Sequence, residues 1–233
     1  MTTIHLVRHG QASLGAADYD RLSATGVRQS ELLGRWWKQL GMRFDAVAIG
    51  SHRRHRDSAL ACLAALGVPF DPAEDAALDE FDGEAVLRAH RADLADGGAI
   101  ERFFASEAEP ARAFQSIFGA AVVRWVGGEH DGDYGEPWPA FRSRCLGAFE
   151  AIVRRAKDEG HANVAVFTSG GPITVACQAA LGIPDARVLS LNWALLNAGV
   201  TRIRAASSGL RLAQFNAVPH LEVAGDDSLL THR

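Results

Sequence analysis

Short apolar runs and longer amphipathic stretches take turns along this chain, and their order predicts alternating strands and helices. Thr3 to Val7, rich in β-branched and apolar residues, predicts a buried strand. In residues 24–40, Leu32, Leu33, Trp36, Trp37 and Leu40 recur at three- and four-residue steps, which gives a helix one apolar face. Phe44 to Ile49 predicts a second strand. Asp57 to Leu66 predicts a helix closed by Gly67 and followed by Pro69. Residues 85 to 135 break the rhythm: Ala, Asp, Glu, His and Arg rise, and Gly97-Gly98 and Gly127-Gly128 interrupt, so this stretch predicts a mostly helical insertion. The alternation resumes with a helix over 139–157, a strand from Val164 to Phe167, and a helix that follows Thr168-Ser169-Gly170-Gly171-Pro172 and runs to about Leu181. Val200 to Arg204 and Leu210 to Phe215 predict two closing strands joined at Ser207-Ser208-Gly209, and the polar tail after Pro219 is expected to be loose.

Strands alternating with helices imply an α/β fold, a three-layer α/β/α sandwich on a mostly parallel sheet. The expectation is one domain over residues 1–233 with a helical cap insertion at about 85–135. Ligands of such sheets sit beyond the carboxyl ends of the strands. Arg8-His9, Ser51 to Arg54 and Thr168 to Gly171 each follow a predicted strand directly, so the three polar clusters are expected to meet at one edge. Arg8-His9-Gly10 places a guanidinium fork suited to phosphate beside an imidazole able to attack near neutral pH. The tripeptide alone fits an ordinary polar strand end equally well. Ser51 to Ala59 adds three arginines and two histidines at the start of a helix, whose free N–H groups favour an anion.

Composition narrows the partners. The net charge of −4 offers no overall basic field for nucleic acid or an anionic membrane, so phosphate binding must come from local arginines. The three cysteines, Cys62, Cys145 and Cys177, lie far apart in apolar surroundings, predicting buried free thiols and a reducing compartment. With no signal-like start and no apolar stretch near the roughly 20 residues that span a bilayer, the expected location is cytoplasmic. His130-Asp131-Gly132-Asp133 has too few spaced ligands for a metal loop and is expected to be an exposed turn. Trp36-Trp37 and Trp193 are expected in the core or facing the cap.

These motifs carry a resemblance. Leu6-Val7-Arg8-His9-Gly10 resembles the signature of the histidine phosphatase superfamily, the phosphoglycerate mutase-like family, and Leu22-Ser23, Gly26 and Gln29 resemble its following segment. Arg54 to Ala59 is similar to its second arginine segment, with Ser58-Ala59 where Thr-Ala is usual. The resemblance implies that His9 attacks phosphorus and becomes a phosphohistidine, that Arg8 and Arg54 hold the phosphoryl oxygens, and that an acid after the second helix protonates the leaving oxygen. Glu80 matches the family's Leu-x-Glu pattern, with Asp79 and Asp82 as rivals. The chain departs from the pattern at Ser169, which stands where the family carries a second histidine that donates to the phosphoryl group, and at Gly15, where many members place an asparagine. A hydroxyl still donates, so Ser169 is retained as a phosphate-binding candidate; His52 or His55 could compensate in part, although histidines at a helix start are expected at the surface. The implied function is a phosphatase acting on a small phosphomonoester with no metal and no cofactor, with activity expected to be reduced because Ser169 replaces the usual second histidine. Its alternatives are a catalytically impaired phosphate-binding protein of the same fold and, less favoured by the incomplete pocket, a phosphoglycerate mutase. The substrate and the oligomeric state are not legible.

Overall fold

The computed structural model describes residues 2–13, 20–94, 97–106, 109–206 and 209–232. The chain runs β1 (Thr2–Arg8), α1 (Ala24–Gln39), β2 (Ala46–Ile49), α2 (Arg53–Leu66), β3 (Ala73–Glu74), α3 (Gly83–His90), α4 (Gly97–Ser106), α5 (Pro110–Gly127), α6 (Trp138–Asp158), β4 (Asn163–Thr168), α7 (Gly170–Leu181), α8 (Asp185–Ala194), β5 (Val200–Ala206), β6 (Gly209–Ala217) and α9 (Pro219–Glu222). The strands form one six-stranded sheet in the order β3-β2-β4-β1-β5-β6. Strands β3, β2, β4 and β1 are mutually parallel, while β5 pairs antiparallel with both β1 and β6. The expected mixed α/β sandwich with a mostly parallel sheet is what the chain forms.

Side-chain alternation along the strands divides the core into two layers. On one face, Ile4, Leu6, Val164 and Val166 pack with Phe141, Cys145 and Phe149 of α6 and Ile173 and Cys177 of α7. On the other, Val7, Val47, Ile49, Ala165 and Phe167 pack with Leu33 and Trp37 of α1 and Cys62 and Leu63 of α2. Helices therefore cover both faces. All three cysteines are buried free thiols, and burial pushes each thiol well above its ordinary range. The segment expected to be a helical insertion carries α3, α4 and α5; its residues 95, 96, 107 and 108 lie outside the described residues, as do Gly15 and Ser207-Ser208 at the predicted hairpin. Asp131–Asp133 is a short 3₁₀ turn whose Asp133 pairs with Arg124, in keeping with a surface turn.

Trp37 is buried, and Trp193 on α8, at 42% exposed, lies outside the core. One expectation fails here. The tail after Pro219 is packed: Val218, Leu221 and Leu229 are buried against Leu32 and Leu196. Gln29 of α1 donates from its side-chain amide to the Leu229 carbonyl and to Thr231 Oγ1. The burial of three isolated apolar residues and these bonds outweigh the tail's polar composition.

Burial also holds His5, wedged against Trp37 and Phe44, and His220 at pKa values of about 4, below the ordinary 6.5. Both are neutral in the fold and take up a proton once the chain unfolds near that pH. Their contribution is therefore intact above the unfolded value and is lost as pH falls toward 4. Each is expected to remove roughly 3 kcal/mol by about pH 4. Urea unfolding at about pH 7 and about pH 4.5 checks this: the midpoint should drop steeply, and a flat midpoint would refute the assignment.

Candidate active site

The three predicted clusters converge beyond the carboxyl ends of β1, β2 and β4. Register explains it: Arg8 pairs with Thr168 across β1 and β4, and Ile49 pairs with Phe167 across β2 and β4. The His9 amide donates to the Thr168 carbonyl at 2.9 Å, and the Gly50 amide donates to the Phe167 carbonyl at 3.1 Å. Just past the strand ends, His9, Ser51 and Ser169 leave the sheet together.

His9 is buried, and its Nδ1 lies 2.7 Å from the Gly10 carbonyl oxygen. A carbonyl only accepts, so Nδ1 carries the hydrogen and a neutral ring keeps its lone pair on Nε2. The ring is held neutral: burial, then the guanidinium groups of Arg54 and Arg8, drive its pKa well below 6.5. A loop after α8 fixes the backbone behind it. The Ala198 amide donates to the Arg8 and His9 carbonyls, and Asn197 Nδ2 donates to the His9 carbonyl at 3.2 Å. Ala198 adopts φ +56° to do so, a conformation costly for a residue with a Cβ. Thr231 Oγ1 in turn donates to Asn197 Oδ1 at 2.9 Å, so the packed tail supports the nucleophile's loop. Nothing in the sequence marked Asn197 for this part.

Arg8 donates through Nη1 to the Leu195 carbonyl at 2.5 Å. Arg54 lies in the first turn of α2, nine-tenths buried. Its Nη1 donates to Asp20 Oδ1 at 2.6 Å, and its Nη2 donates to Ser169 Oγ at 3.4 Å. The other Asp20 oxygen accepts from the Arg53 amide at 2.6 Å. A carboxylate thus sits where a helix N-terminus and an arginine fork favour an anion. Asp20 was not legible as a site residue, since its role depends on a loop returning to α2.

Glu80 lies where a 3₁₀ turn (Ala76–Leu78) meets the start of α7. The turn is held by Thr168 Oγ1, which donates to the Leu78 carbonyl at 2.5 Å, and by Arg144, which donates to the carbonyls of Ala76, Ala77 and Asp79. Both Glu80 carboxylate oxygens lie 3.0–3.1 Å from the Gly171 amide. A Cβ at Gly171 would stand 2.0 Å from Glu80 Oε1 and 2.9 Å from Phe141 Cζ, so only glycine admits this approach. Burial raises the Glu80 pKa above 4.5, against the opposing pull of the Gly171 amide and of Arg54 and Arg8. Its rivals differ. Asp79 is bound through both oxygens to Ser51, by the amide at 2.6 Å and by the hydroxyl. Asp82 caps α3 through the Ala85 amide and is exposed.

Ser169 is wholly buried, and its Oγ lies 2.7 Å from His55 Nε2. His55 was expected at the surface. It is instead fully enclosed, with its ring centroid 5.8 Å from that of His9 and 5.2 Å from that of His52. Its position one turn into a helix hid this, because only the fold brings β4 across the start of α2. Among the described residues, no group of three or more His, Cys, Asp or Glu side chains is placed to hold a metal ion, and no helix is long and apolar enough to cross a membrane.

Known proteins share the fold and the family. The model of the histidine phosphatase superfamily (branch 1) matches residues 4–218. No curated protein sequence matches the chain. Among solved structures, a phosphoglycerate mutase from Bacillus anthracis str. Sterne is similar with a TM-score of 0.66 at 17% identity, covering 97% of both chains. A phosphoserine phosphatase mutant from Entamoeba histolytica, in complex with phosphoserine, has a TM-score of 0.63 at 15% identity, covering 95% of this chain and 100% of the other. A mycobacterial glucosyl-3-phosphoglycerate phosphatase with inorganic phosphate has a TM-score of 0.61 at 18% identity, covering 94% and 99%.

Proposed function

The chain belongs to branch 1 of the histidine phosphatase superfamily, and from that membership and the site geometry we propose that it is a metal-independent phosphatase acting on a small phosphomonoester. The observation that carries the reading is His9: a buried imidazole, neutral by virtue of its surroundings, with Nδ1 tied to Gly10 and Nε2 left to attack. Arg8 and Arg54 flank it with fixed positive charge, which is what a phosphoryl group needs as charge spreads over its oxygens.

Nε2 of His9 forms a bond to phosphorus as the ester P–O bond breaks. Glu80 gives its proton to the leaving oxygen, and the alcohol departs. Water then attacks the phosphohistidine, Glu80 takes the proton from that water, and inorganic phosphate leaves with His9 neutral again. Arg8, Arg54 and Ser169 hold the phosphoryl oxygens throughout. Substrate displaces Asp20 from the Arg54 fork, one anion for another. The segment at about 85–135, a cap in this reading, supplies the residues that choose the substrate. Hydrolysis is favoured over mutase chemistry because a mutase must keep water from the phosphohistidine, a demand on the whole pocket.

The test is phosphate release from an aryl phosphate and a panel of small phosphomonoesters with EDTA present. Turnover indifferent to the chelator is expected; turnover that appears only on adding a divalent metal, or none at all, overturns the reading.

A further inference from the structure

One carbonyl sets which nitrogen of His9 keeps its lone pair. Nδ1 gives its hydrogen to the Gly10 carbonyl at 2.7 Å, which leaves Nε2 unprotonated. Whatever holds that carbonyl therefore holds the ring. A peptide unit is planar, so the Gly10 carbonyl and the Gln11 N–H turn as one plate. The Gln11 amide donates to Gln29 Oε1 at 2.8 Å, which pins this plate to α1. The plate before it, made of the His9 carbonyl and the Gly10 N–H, is pinned on both sides as well. Asn197 Nδ2 donates to the carbonyl at 3.2 Å, and the Gly10 amide donates to Ser58 Oγ at 2.9 Å. Close packing brings α1 within reach: a Cβ at Gly10 would stand 2.3 Å from the Gly26 carbonyl oxygen, so only glycine lets this segment lie against the helix.

Gln29 and Asn197 are wholly buried, and they meet through the tail. Gln29 Nε2 donates to Thr231 Oγ1 at 2.9 Å and to the Leu229 carbonyl at 2.7 Å. Thr231 Oγ1 donates to Asn197 Oδ1 at 2.9 Å, and the Asn197 backbone amide donates to the Thr231 carbonyl at 2.8 Å. The direction of every hydrogen follows from the two ends of this chain. The Gln11 N–H only donates, which assigns Gln29 Oε1 to it and Nε2 to the tail. The His9 carbonyl only accepts, which assigns Asn197 Nδ2 to it and Oδ1 to Thr231. Thr231 then receives one hydrogen and gives its own, the one arrangement open to a hydroxyl between two amides so oriented.

Resting on the phosphatase reading, we propose that Thr231 is a positioning residue, closing a relay from Gln11 through Gln29 and Asn197 to His9 that fixes the Gly10 carbonyl and so keeps His9 in the tautomer that attacks. Thr231 lies 202 positions beyond Gln29, so the relay exists only once the tail has packed. Its members orient one another, and a buried amide that loses one partner is left with an unmet donor or acceptor. With the hydroxyl gone, Gln29 and Asn197 both lose the group between them, and both plates around Gly10 are free to turn. A Gly10 carbonyl that turns away releases Nδ1, and the ring can then carry its hydrogen on Nε2, where no lone pair remains for phosphorus. Arg8 and Arg54 lie outside the relay. Its loss therefore falls on kcat and spares the binding of the anion.

Two substitutions in the full-length protein separate this from a packing role. Thr231→Val keeps the shape and removes the hydroxyl; Thr231→Ser keeps the hydroxyl and removes the methyl. Each is read by nitrogen NMR of the His9 ring (assigned by its loss in His9→Ala), by kcat on an aryl phosphate and by Kd for inorganic phosphate. The wild-type ring is expected to carry its hydrogen on Nδ1. Thr231→Val should shift it toward the Nε2–H form, lower kcat by about tenfold and leave Kd within about threefold. Thr231→Ser should return both tautomer and kcat close to wild type. Asn197→Asp, which keeps the shape but sets an oxygen against the His9 carbonyl, should give the same shift, and it carries the test if the valine variant does not fold. A ring that stays in the Nδ1–H form in the folded variants overturns the proposal. So does a wild-type ring found in the Nε2–H form, or a serine variant no better than valine at equal melting temperature. The ring signal stands apart from turnover: a wild-type protein that releases no phosphate while its variants still shift the tautomer sinks the phosphatase reading and supports the relay.

Discussion

Replacing His9 by alanine is expected to bring phosphate release from an aryl phosphate down to background, a loss of about 10⁶ in kcat when a covalent nucleophile is removed. No neighbour can take its place. His55 is the nearest imidazole, but its Nε2 is engaged by Ser169. Ser169 is fully buried, and the three cysteines lie in the core with thiol pKa values raised by burial. Phosphate binding should survive the change, since Arg8 and Arg54 are untouched, so Kd for inorganic phosphate is expected to shift by only about a few-fold. Stopping the wild-type reaction within its first turnover should trap phosphate in an alkali-stable, acid-labile form on the peptide that contains His9. The His9→Ala protein should trap none. Label that persists in the variant, or that lies on another residue, would show that the nucleophile is elsewhere.

How far this site could be read from the sequence depended on what set each feature. Strand ends were legible because strands β1, β2 and β4 carry dense apolar runs, and parallel sheets place such ends at one edge. The clusters that hold Arg8, His9, Arg54 and Ser169 were placed at one edge that way, and the resemblance singled out these residues within them. Helix α8 was not, because of its apolar positions only Val188 is fully buried, so no stripe of period 3.6 marks it. Strand β3 has two exposed residues and no pattern at all. The tail was misjudged because its burial comes from single residues meeting α1 and the loop after α8, contacts that no local window contains. The choice between Asp79 and Glu80 was of the same kind. Adjacent acids on one turn look alike in sequence, and only Ser51 on one side and Gly171 on the other assign them different partners. His55 shows the limit most clearly. Its type and its place at a helix start suggested water, yet Gly50, Asp79 and Ser169, from three separate segments, enclose it.

Glu80→Gln is expected to lower kcat/KM by about 10²–10³-fold and to remove the alkaline limb of its pH profile. The sign follows from the two groups' tasks. His9 must be neutral to attack, so activity fails as pH drops through its pKa; Glu80 must hold a proton to release the alcohol, so activity fails as pH rises through its own. At the ordinary values, 6.5 for the histidine and 4.5 for the acid, the order is the wrong way round. Near pH 5.5 each group would then be in its required form about a tenth of the time, and both together about 1% of the time. The site shifts both in the useful direction: burial with Arg54 and Arg8 depresses His9, and burial raises Glu80. The wild-type profile should therefore keep its activity well below pH 6.5, where an ordinary histidine would already be protonated. Glutamine has no proton to lose at any pH in this range, so the variant's rate should be low and flat on the alkaline side while the acid limb stays in place. An aryl phosphate with a good leaving group should suffer less than an alkyl ester, since its oxygen needs less help to depart. An alkaline limb that survives in Glu80→Gln, with losses equal for both esters, would pass the role of proton donor to another group.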